Sequence, residues 1–188
     1  MLLQVIQVST RPSRASDPIA KWMMAHAEAH KGFTVEFIDL RAEALPVFDE
    51  PQHPRLRQYE HEHTKRWSAK IERADAFVWV TPEYNFATPV SLLNALTYLV
   101  QEWAYKPAAL VSYGGVSAGT RGVQMTKQTL TALGVMPIPQ AVAIPFFTQH
   151  IKDGKFEPGE TQDKAAGAML TELGRWAVAL ATLRTPAK

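Results

Sequence analysis

The sequence predicts an open α/β fold in which helices cover both faces of a doubly wound parallel sheet. Strand-like and helix-like segments alternate along the chain, which is the order that parallel βαβ units require. Most strand candidates are apolar at nearly every position, as expected when helices bury a strand on both sides. No internal repeat or low-complexity tract divides the 188 residues. We therefore expect one domain spanning residues 1–188.

Five strand candidates are short runs rich in β-branched and aromatic residues. The second alternates between polar and apolar positions, and the fourth runs into a pair of glycines. In chain order they span residues 2–8, 33–40, 76–81, 106–115 and 141–147.

Five helix candidates separate or follow these strands. The first has Asp17 as its predicted N-cap and Pro18 at the first helical position, where proline fits best. The second is polar and offers only Tyr59, Trp67 and Ile71 for burial. In chain order the helices are predicted over residues 17–30, 57–74, 89–103, 120–133 and 163–183.

Composition excludes several classes of function. Cysteine is absent, which rules out disulfides, thiol nucleophiles and zinc–thiolate sites. The 20 basic and 18 acidic residues give a net charge of +2, without the dense basic stripe typical of nucleic-acid binding. The apolar start MLLQVIQV lacks the features of a secretory signal, and no run is long enough to cross a membrane. We expect a cytoplasmic protein that binds neither nucleic acid nor membrane.

The histidines do not predict a metal site. His61 and His63 are two residues apart on a predicted helix, so they do not share a face as zinc ligands on one helix do. His26 and His30 have the four-residue spacing, but no carboxylate is placed beside them.

The loop after the first strand, STRPSRAS, combines hydroxyl groups with Arg11 and Arg14 and then opens a helix. Helix N-termini attract anions, and arginine forms strong, often bidentate hydrogen bonds with phosphate. The loop contains neither the GxxxxGK[ST] nor the GxGxxG pattern. It predicts a phosphate site of another kind, and an ordinary solvated loop is the alternative.

The loop after the third strand, TPEYNFATP, is stiffened by Pro82 and Pro89, because proline fixes φ and restricts the residue before it. Such a loop can hold its backbone groups in fixed positions against a flat heterocycle. Tyr84 would pack on that ring and Asn85 would hold the turn. A surface turn with a stray aromatic residue and a solvated Glu83 is the alternative.

The loop after the fourth strand, SYGGVSAGTRG, contains Gly114 and Gly115, which allow close approach of the backbone to a ligand. A glycine-rich connection without a ligand is the alternative. In a doubly wound sheet, ligands bind beyond the carboxyl ends of the strands, near the point where strand order reverses. The three loops together therefore predict one ligand site.

These loops, read as STRPSRAS, TPEYNFATPVSLLNAL and EWAYKPAALVSYGGVSAGTRG, resemble the flavin-contacting loops of the NAD(P)H-dependent FMN reductases. That family includes quinone, chromate and azo-dye reductases, and the resemblance runs from about residue 5 to residue 183. It implies a flavodoxin-like fold with a five-stranded parallel sheet, FMN as cofactor and NADPH or NADH as co-substrate. It also implies a homodimer or tetramer.

The resemblance assigns residues to three parts of FMN, and since the flavin carries the hydride it implies no catalytic side chain. Those that would hold the phosphate are Ser9, Arg11, Arg14 and Ser16. Those that would line the isoalloxazine are Pro82, Glu83, Tyr84 and Asn85. Those along its other edge would be Ser112, Tyr113, Gly114 and Gly115. Two positions depart from the family pattern, because Val8 replaces a common glycine and Phe86 replaces a common small residue.

The implied reaction is a ping-pong transfer of hydride from NAD(P)H through FMN to a quinone, azo, nitro-aromatic or flavin acceptor. A flavodoxin-type electron carrier and a flavin-binding sensor are the rival interpretations. The near-neutral charge and the stiff loop favour a reductase. For the dimer interface, the sequence offers Tyr98, Leu99 and Trp103 at the end of an apolar helix, with burial in the core as the more common alternative for such residues.

Overall fold

The computed structural model describes residues 1–184 and contains a parallel sheet in the order β2-β1-β3-β4-β5, with β6 also paired to β4. All strand pairs in this sheet are parallel. This order is the flavodoxin-like one, so the predicted fold class is confirmed. The sheet strands are β1 (Leu2–Gln7), β2 (Thr34–Asp39), β3 (Ala76–Pro82), β4 (Pro107–Tyr113), β5 (Met136–Pro137) and β6 (Val142–Ile144). A separate antiparallel hairpin joins β7 (Ile151–Lys152) to β8 (Lys155–Phe156).

The fifth position of the sheet is filled by two short segments. β5 lies beside the start of β4, and β6 lies beside its end. The sequence predicts one strand here, over residues 141–147. Pro137 is itself paired with Ala108, and the Ile138 N–H donates to the Ala108 carbonyl, so the pairing with β4 is lost only after residue 138 and resumes at Val142.

Helices cover both faces of the sheet. They are α1 (Ser16–Ala29), α2 (Leu40–Glu43), α3 (Glu62–Glu72), α4 (Val90–Thr97), α5 (Thr120–Ala132) and α6 (Glu160–Arg184). Short 3₁₀ helices span Pro54–Leu56 and Phe147–His150. α3 begins later than predicted, because Arg57 has a left-handed backbone with φ of 53°, and Tyr59 lies before the helix. Among residues 1–184, no helix is long and apolar enough to span a bilayer.

The prediction that Asp17 caps the first helix is wrong. α1 begins at Ser16, and its N-cap residue, Ala15, has no side chain that could accept a hydrogen bond. The Asp17 carboxylate instead accepts hydrogen bonds from Arg14 Nε and Gln7 Nε2, both at 2.6 Å. The N–H groups at the start of α1 therefore have no side-chain cap, which matters for the site described below.

Two apolar cores lie on opposite faces of the sheet. One packs α1 and α6 against the sheet through residues such as Met23 and Leu173. The other packs α3, α4 and α5, and at its centre the Trp103 ring contacts the rings of both Trp67 and Trp79.

The residues proposed from sequence for a dimer interface lie in the second core. Tyr98, Leu99 and Trp103 are all 0% exposed, so of the two alternatives burial in the core is the correct one and they form no interface. Burial of side chains of this size stabilises the fold by about 1.5–3 kcal/mol each, which is the reason that they turn inward.

Candidate active site

The loops that follow β1, β3 and β4 converge on one cavity. β1 and β3 are neighbours in the sheet, and the chain leaves them in opposite directions, so the cavity lies at the topological switch point. Its volume is about 310 Å³. The lining residues are Ser9, Arg11, Ser13, Arg14, Ala15, Pro82, Glu83, Tyr84, Tyr113, Gly114, Gly115 and Phe147.

Tyr84 links the first loop to the second. Its hydroxyl lies 2.9 Å from the hydroxyl of Ser9, which is itself buried. The second loop is a tight hairpin, in which Tyr84 and Ala87 exchange two backbone hydrogen bonds. The two residues between them, Asn85 and Phe86, both have positive φ, at 51° and 64°. Pro82 and this turn thus hold Tyr84 against the end of β1.

Arg11 is the unpaired cation of the cavity. Its side chain is exposed, and no carboxylate or other acceptor within residues 1–184 bonds to it. Ser13 and the uncapped start of α1 at Ala15 lie on the same wall. A guanidinium, a hydroxyl and unpaired backbone N–H groups together suit a phosphate.

Arg14 lines the same wall, but its guanidinium is held by protein groups. Two of its nitrogens donate to both oxygens of Asp39, at 2.6 and 2.7 Å, and Nη1 also donates to the Ser9 carbonyl at 3.0 Å. Burial opposes the charge of Asp39, but the hydrogen bonds from Arg14 and from the Arg41 N–H hold the pKa of that carboxyl below its usual value. Arg14 therefore fastens the first loop to the end of β2, with little of its donor capacity left for a ligand.

Tyr113 forms the buried base of the site, whereas the buried Ser16 and Ser112 are not part of its lining. Tyr113 is 4% exposed, packs edge-on against Phe147, and has its pKa raised by burial, so it is a neutral hydroxyl at any ordinary pH. Ser16 is buried and accepts a hydrogen bond from Gln7 at 2.6 Å. Ser112 is buried within β4 and does not reach the cavity surface.

The two glycines of the third loop differ in what surrounds them. A Cβ on Gly114 would lie 2.8 Å from the backbone nitrogen of Gly119, so glycine is needed there for packing of the loop on itself. A Cβ on Gly115 would meet no atom within 4 Å. Since Gly115 lines the cavity, it leaves open space on the side from which a ligand would approach.

Glu83 ties the second loop to α5. Its side chain is 8% exposed, and its carboxylate accepts hydrogen bonds from the Gly122 N–H at 3.0 Å and from Ser117 Oγ at 3.3 Å. Asn85 lies beyond Glu83 and faces a second cavity of about 560 Å³, not the first. The structure thus brings together most of the residues predicted for the site, with Ser16, Ser112 and Asn85 outside the cavity wall.

Sequence reasoning missed two features of the site. Phe147 follows β6 at the same edge of the sheet. Its position after a strand is the sequence feature that could have placed it at the site. Its N–H donates to the Gly114 carbonyl, and the Phe146 N–H donates to the Gly115 carbonyl. The other feature is the partnership of Asp39 with Arg14, which no local pattern reveals because 25 residues separate them.

The residues fit FMN in two respects. The wall that carries Arg11, Ser13 and the start of α1 offers donors for the phosphate, and the space over Gly115 beside Tyr84 admits a flat ring. Neither the phosphate contacts nor the space for the ring requires a side chain with an unusual protonation state.

Comparisons with known proteins identify the family. Residues 1–149 match the family described as NADPH-dependent FMN reductase. The chain is 35% identical over 174 residues to an NAD(P)H-dependent FMN reductase of Schizosaccharomyces pombe, a match that covers 92% of this chain and 86% of that protein. It is 34% identical over 107 residues to an NADPH:quinone oxidoreductase of Arabidopsis thaliana, which covers 55% of this chain and 50% of that one.

Solved structures support the fold. FerB of Paracoccus denitrificans, a flavoenzyme NAD(P)H:(acceptor) oxidoreductase, superposes with a TM-score of 0.76 at 22% identity, covering 95% of this chain and 97% of that one. The chain therefore belongs to the NADPH-dependent FMN reductase family, oxidoreductases that use FMN and NAD(P)H.

Proposed function

We propose that this protein reduces quinones with NAD(P)H, using FMN held in the cavity beyond β1, β3 and β4. The observation that carries this proposal is the convergence of three loops on one cavity with unpaired donors at one end and open space over Gly115 at the other. Bound FMN would supply the redox chemistry, taking a hydride from NAD(P)H and giving two electrons to the acceptor.

The side chains of the site bind and orient. Arg11, Ser13 and the N–H groups at the start of α1 would hold the FMN phosphate. Tyr84, fixed by its contact with Ser9, would pack against the flavin ring. The backbone N–H of Gly115 would stabilise negative charge on the reduced ring, since oriented donors act strongly in a site from which water is excluded. Arg14 would act indirectly, by fastening the loop to Asp39.

Azo, nitro-aromatic and free flavin acceptors remain part of the proposal, because the same open cavity would receive any planar acceptor. A flavodoxin-type carrier is the second candidate, since it would use the same FMN site without turning over a small acceptor.

The cysteine-free composition fits a reducing compartment, and we propose that the protein works in the cytoplasm.

The visible spectrum of the purified protein tests the function directly. The protein, after incubation with FMN and removal of free flavin, is expected to be yellow and to bleach on anaerobic addition of NADPH. Addition of a quinone should restore the colour and sustain NADPH oxidation. A protein that takes up no FMN would overturn the proposal. Bleaching without steady turnover of a quinone would favour the carrier.

We also propose a homodimer. Three exposed apolar side chains lie together on α4 and the segment before α3: Val47, Val90 and Leu93, at 84%, 78% and 37% exposure. Val47 and Val90 line the same surface depression, and Leu93 lies one helical turn after Val90. A second subunit on this patch would cover it and would add a wall beside the site.

A further inference from the structure

A second cavity, of about 560 Å³, opens directly beside the FMN cavity. Glu83 and Gly115 line both, so the two cavities adjoin at the edge where the flat ring would lie. The other lining residues are Asn85, Phe86, Val116, Ser117 and Arg121. A molecule in this second cavity would therefore lie next to the bound ring.

An aromatic ring and a cation form one wall of the second cavity. The carbon at the centre of the Arg121 guanidinium lies 4.3 Å from the centroid of the Phe86 ring, which is a cation–π contact. The Phe86 ring is 68% exposed, and its backbone holds a φ of 64° that a bulky residue rarely adopts. Phe86 thus presents a large apolar surface to solvent at a position where a small residue would be less strained.

Arg121 is in an ion pair with Glu83, but among residues 1–184 the hydrogen-bond donors of its guanidinium are free for a ligand. Its nearest carboxylate, that of Glu83, lies 3.6 Å from Nη1, beyond hydrogen-bond range, and Glu83 already accepts from Gly122 and Ser117. Within the described part of the chain, no hydrogen bond from the Arg121 guanidinium is formed. Val116, 74% exposed, adds apolar surface to the same cavity.

We propose that Phe86 and Arg121 form an acceptor subsite selective for planar aromatic acceptors that carry an anionic substituent, a sulfonate or a carboxylate. The Phe86 ring and Val116 would contact the aromatic body, and the guanidinium fork would take two oxygens of the anion. The proposal rests on the proposed function. In the reaction, NAD(P)H gives a hydride and solvent gives a proton, and the quinone becomes the hydroquinone.

Matched substrates test the subsite. The experiment measures the ratio of kcat/KM for 1,4-naphthoquinone-2-sulfonate to kcat/KM for 1,4-naphthoquinone, with NADPH at saturation. Comparing this ratio between variants cancels the different intrinsic reactivities of the two quinones. Because the chain has no cysteine, neither quinone can alkylate a protein thiol. We expect the ratio to fall about tenfold in Arg121→Gln, consistent with the loss of one charge-assisted contact, and to recover in part in Arg121→Lys.

The control is Arg175→Gln. Arg175 is also an exposed arginine on a helix, with its nearest carboxylate at 2.8 Å, but it lies on α6 and lines neither cavity. This variant should leave the ratio at the wild-type value. FMN occupancy of every variant is checked by absorbance, so that loss of the cofactor is not mistaken for loss of selectivity.

Binding without turnover provides a second measurement. Naphthalene-2-sulfonate and the neutral 2-naphthol are titrated against the FMN-loaded protein by calorimetry. We expect Arg121→Gln to weaken binding of the sulfonate about tenfold and Phe86→Ala to weaken binding of both ligands.

The outcomes separate the two proposals. If the protein binds FMN and reduces both quinones, but the ratio and the sulfonate affinity do not depend on Arg121, the subsite is wrong and the reductase stands. If Arg121→Gln instead changes only the preference for NADPH over NADH, the residue serves the nicotinamide co-substrate and the acceptor subsite is wrong. If neither quinone is reduced, the proposed function fails and the subsite fails with it.

Discussion

Phe86 has an unfavourable backbone conformation for a bulky residue. It occupies the second central position of a two-residue hairpin turn, where both central residues have positive φ and where Asn-Gly is the preferred pair. Asn85 satisfies that preference, whereas Phe86 does not. The conformation is imposed by the flanking hydrogen bonds between Tyr84 and Ala87 and by the packing of Ala87 against Gly122.

We predict that Phe86→Gly is more stable than Phe86→Ala by about 1 kcal/mol, because both remove the ring but only glycine adopts the left-handed backbone without strain. This order is the reverse of the usual preference for alanine. The free energy of unfolding in urea measures it. An alanine variant of equal or greater stability would show that the turn relaxes to another conformation.

Arg11 lies at the other end of the site and has a simpler role. We predict that Arg11→Ala weakens FMN binding by about 1.5–3 kcal/mol, the range for hydrogen bonds to charged groups. Titration of the FMN-free protein with FMN measures the dissociation constant. Arg175→Ala, which removes a remote exposed arginine, should leave it unchanged. Full FMN affinity in the Arg11 variant would remove this residue from the phosphate site.

Among the structural elements, the turn between β4 and α5 begins with two adjacent glycines, Gly114 and Gly115, that have separate tasks. We predict that Gly115→Val abolishes FMN binding and changes the free energy of unfolding by less than about 0.5 kcal/mol, since a Cβ there meets no protein atom. Gly114→Ala should cost about 1–3 kcal/mol of stability, because its Cβ would overlap the Gly119 backbone.

Both glycine variants are measured by urea unfolding and by FMN titration. The pair is informative because the Gly115 variant should lose FMN binding but not stability, whereas the Gly114 variant should lose stability. A Gly115→Val protein that binds FMN normally would place the ring elsewhere.

The opposite end of the sheet contains a lysine that joins two elements. Lys106 directly precedes β4, is 4% exposed, and donates from Nζ to the carbonyls of Ile71 and Glu72 at the end of α3, both at 2.8 Å. Burial lowers its pKa from 10.5 to about 8. The folded protein therefore holds this proton less tightly than the unfolded chain, so the charged lysine destabilises the fold at neutral pH and the penalty is released as pH rises from 8 towards 10.5.

We predict that the stability of the wild-type protein relative to Lys106→Met rises by about 2 kcal/mol between pH 7 and pH 10. Taking the difference between the two proteins removes the contribution of other titrating groups. Urea unfolding at several pH values measures it, with Lys65→Met on the exposed face of α3 as the control. Parallel curves for wild type and Lys106→Met would mean that the amine is solvated in the folded state.

At the scale of the whole molecule, the surface formed by Val47, Val90 and Leu93 decides the proposed assembly. We predict that Val90→Lys converts a dimer to a monomer, because a buried lysine at the interface would lose its hydration without a partner. Light scattering measures the mass. Val178→Lys, at a valine that is also 62% exposed but lies on α6, is the matched control. A wild-type protein of monomer mass would contradict the proposal.

The sequence alone was enough to predict the fold class, which is confirmed, and to propose the region of the site. Apolar runs separated by helical segments are local patterns, and they place the three unusual loops at one edge of the sheet because parallel strands share their direction. Local patterns were enough to predict that Arg11, Tyr84 and Gly115 belong to one site, and the structure places all three on one cavity.

Tertiary structure decided the roles of individual residues. Arg14 is held by Asp39, Tyr98 and Trp103 are buried in the core, and the fifth position of the sheet is split into two segments. Each of these depends on contacts between residues far apart in the chain. The energy of such contacts, an ion pair or a buried ring, exceeds the local preferences that the sequence displays, and so only the folded chain reveals which partner each side chain takes.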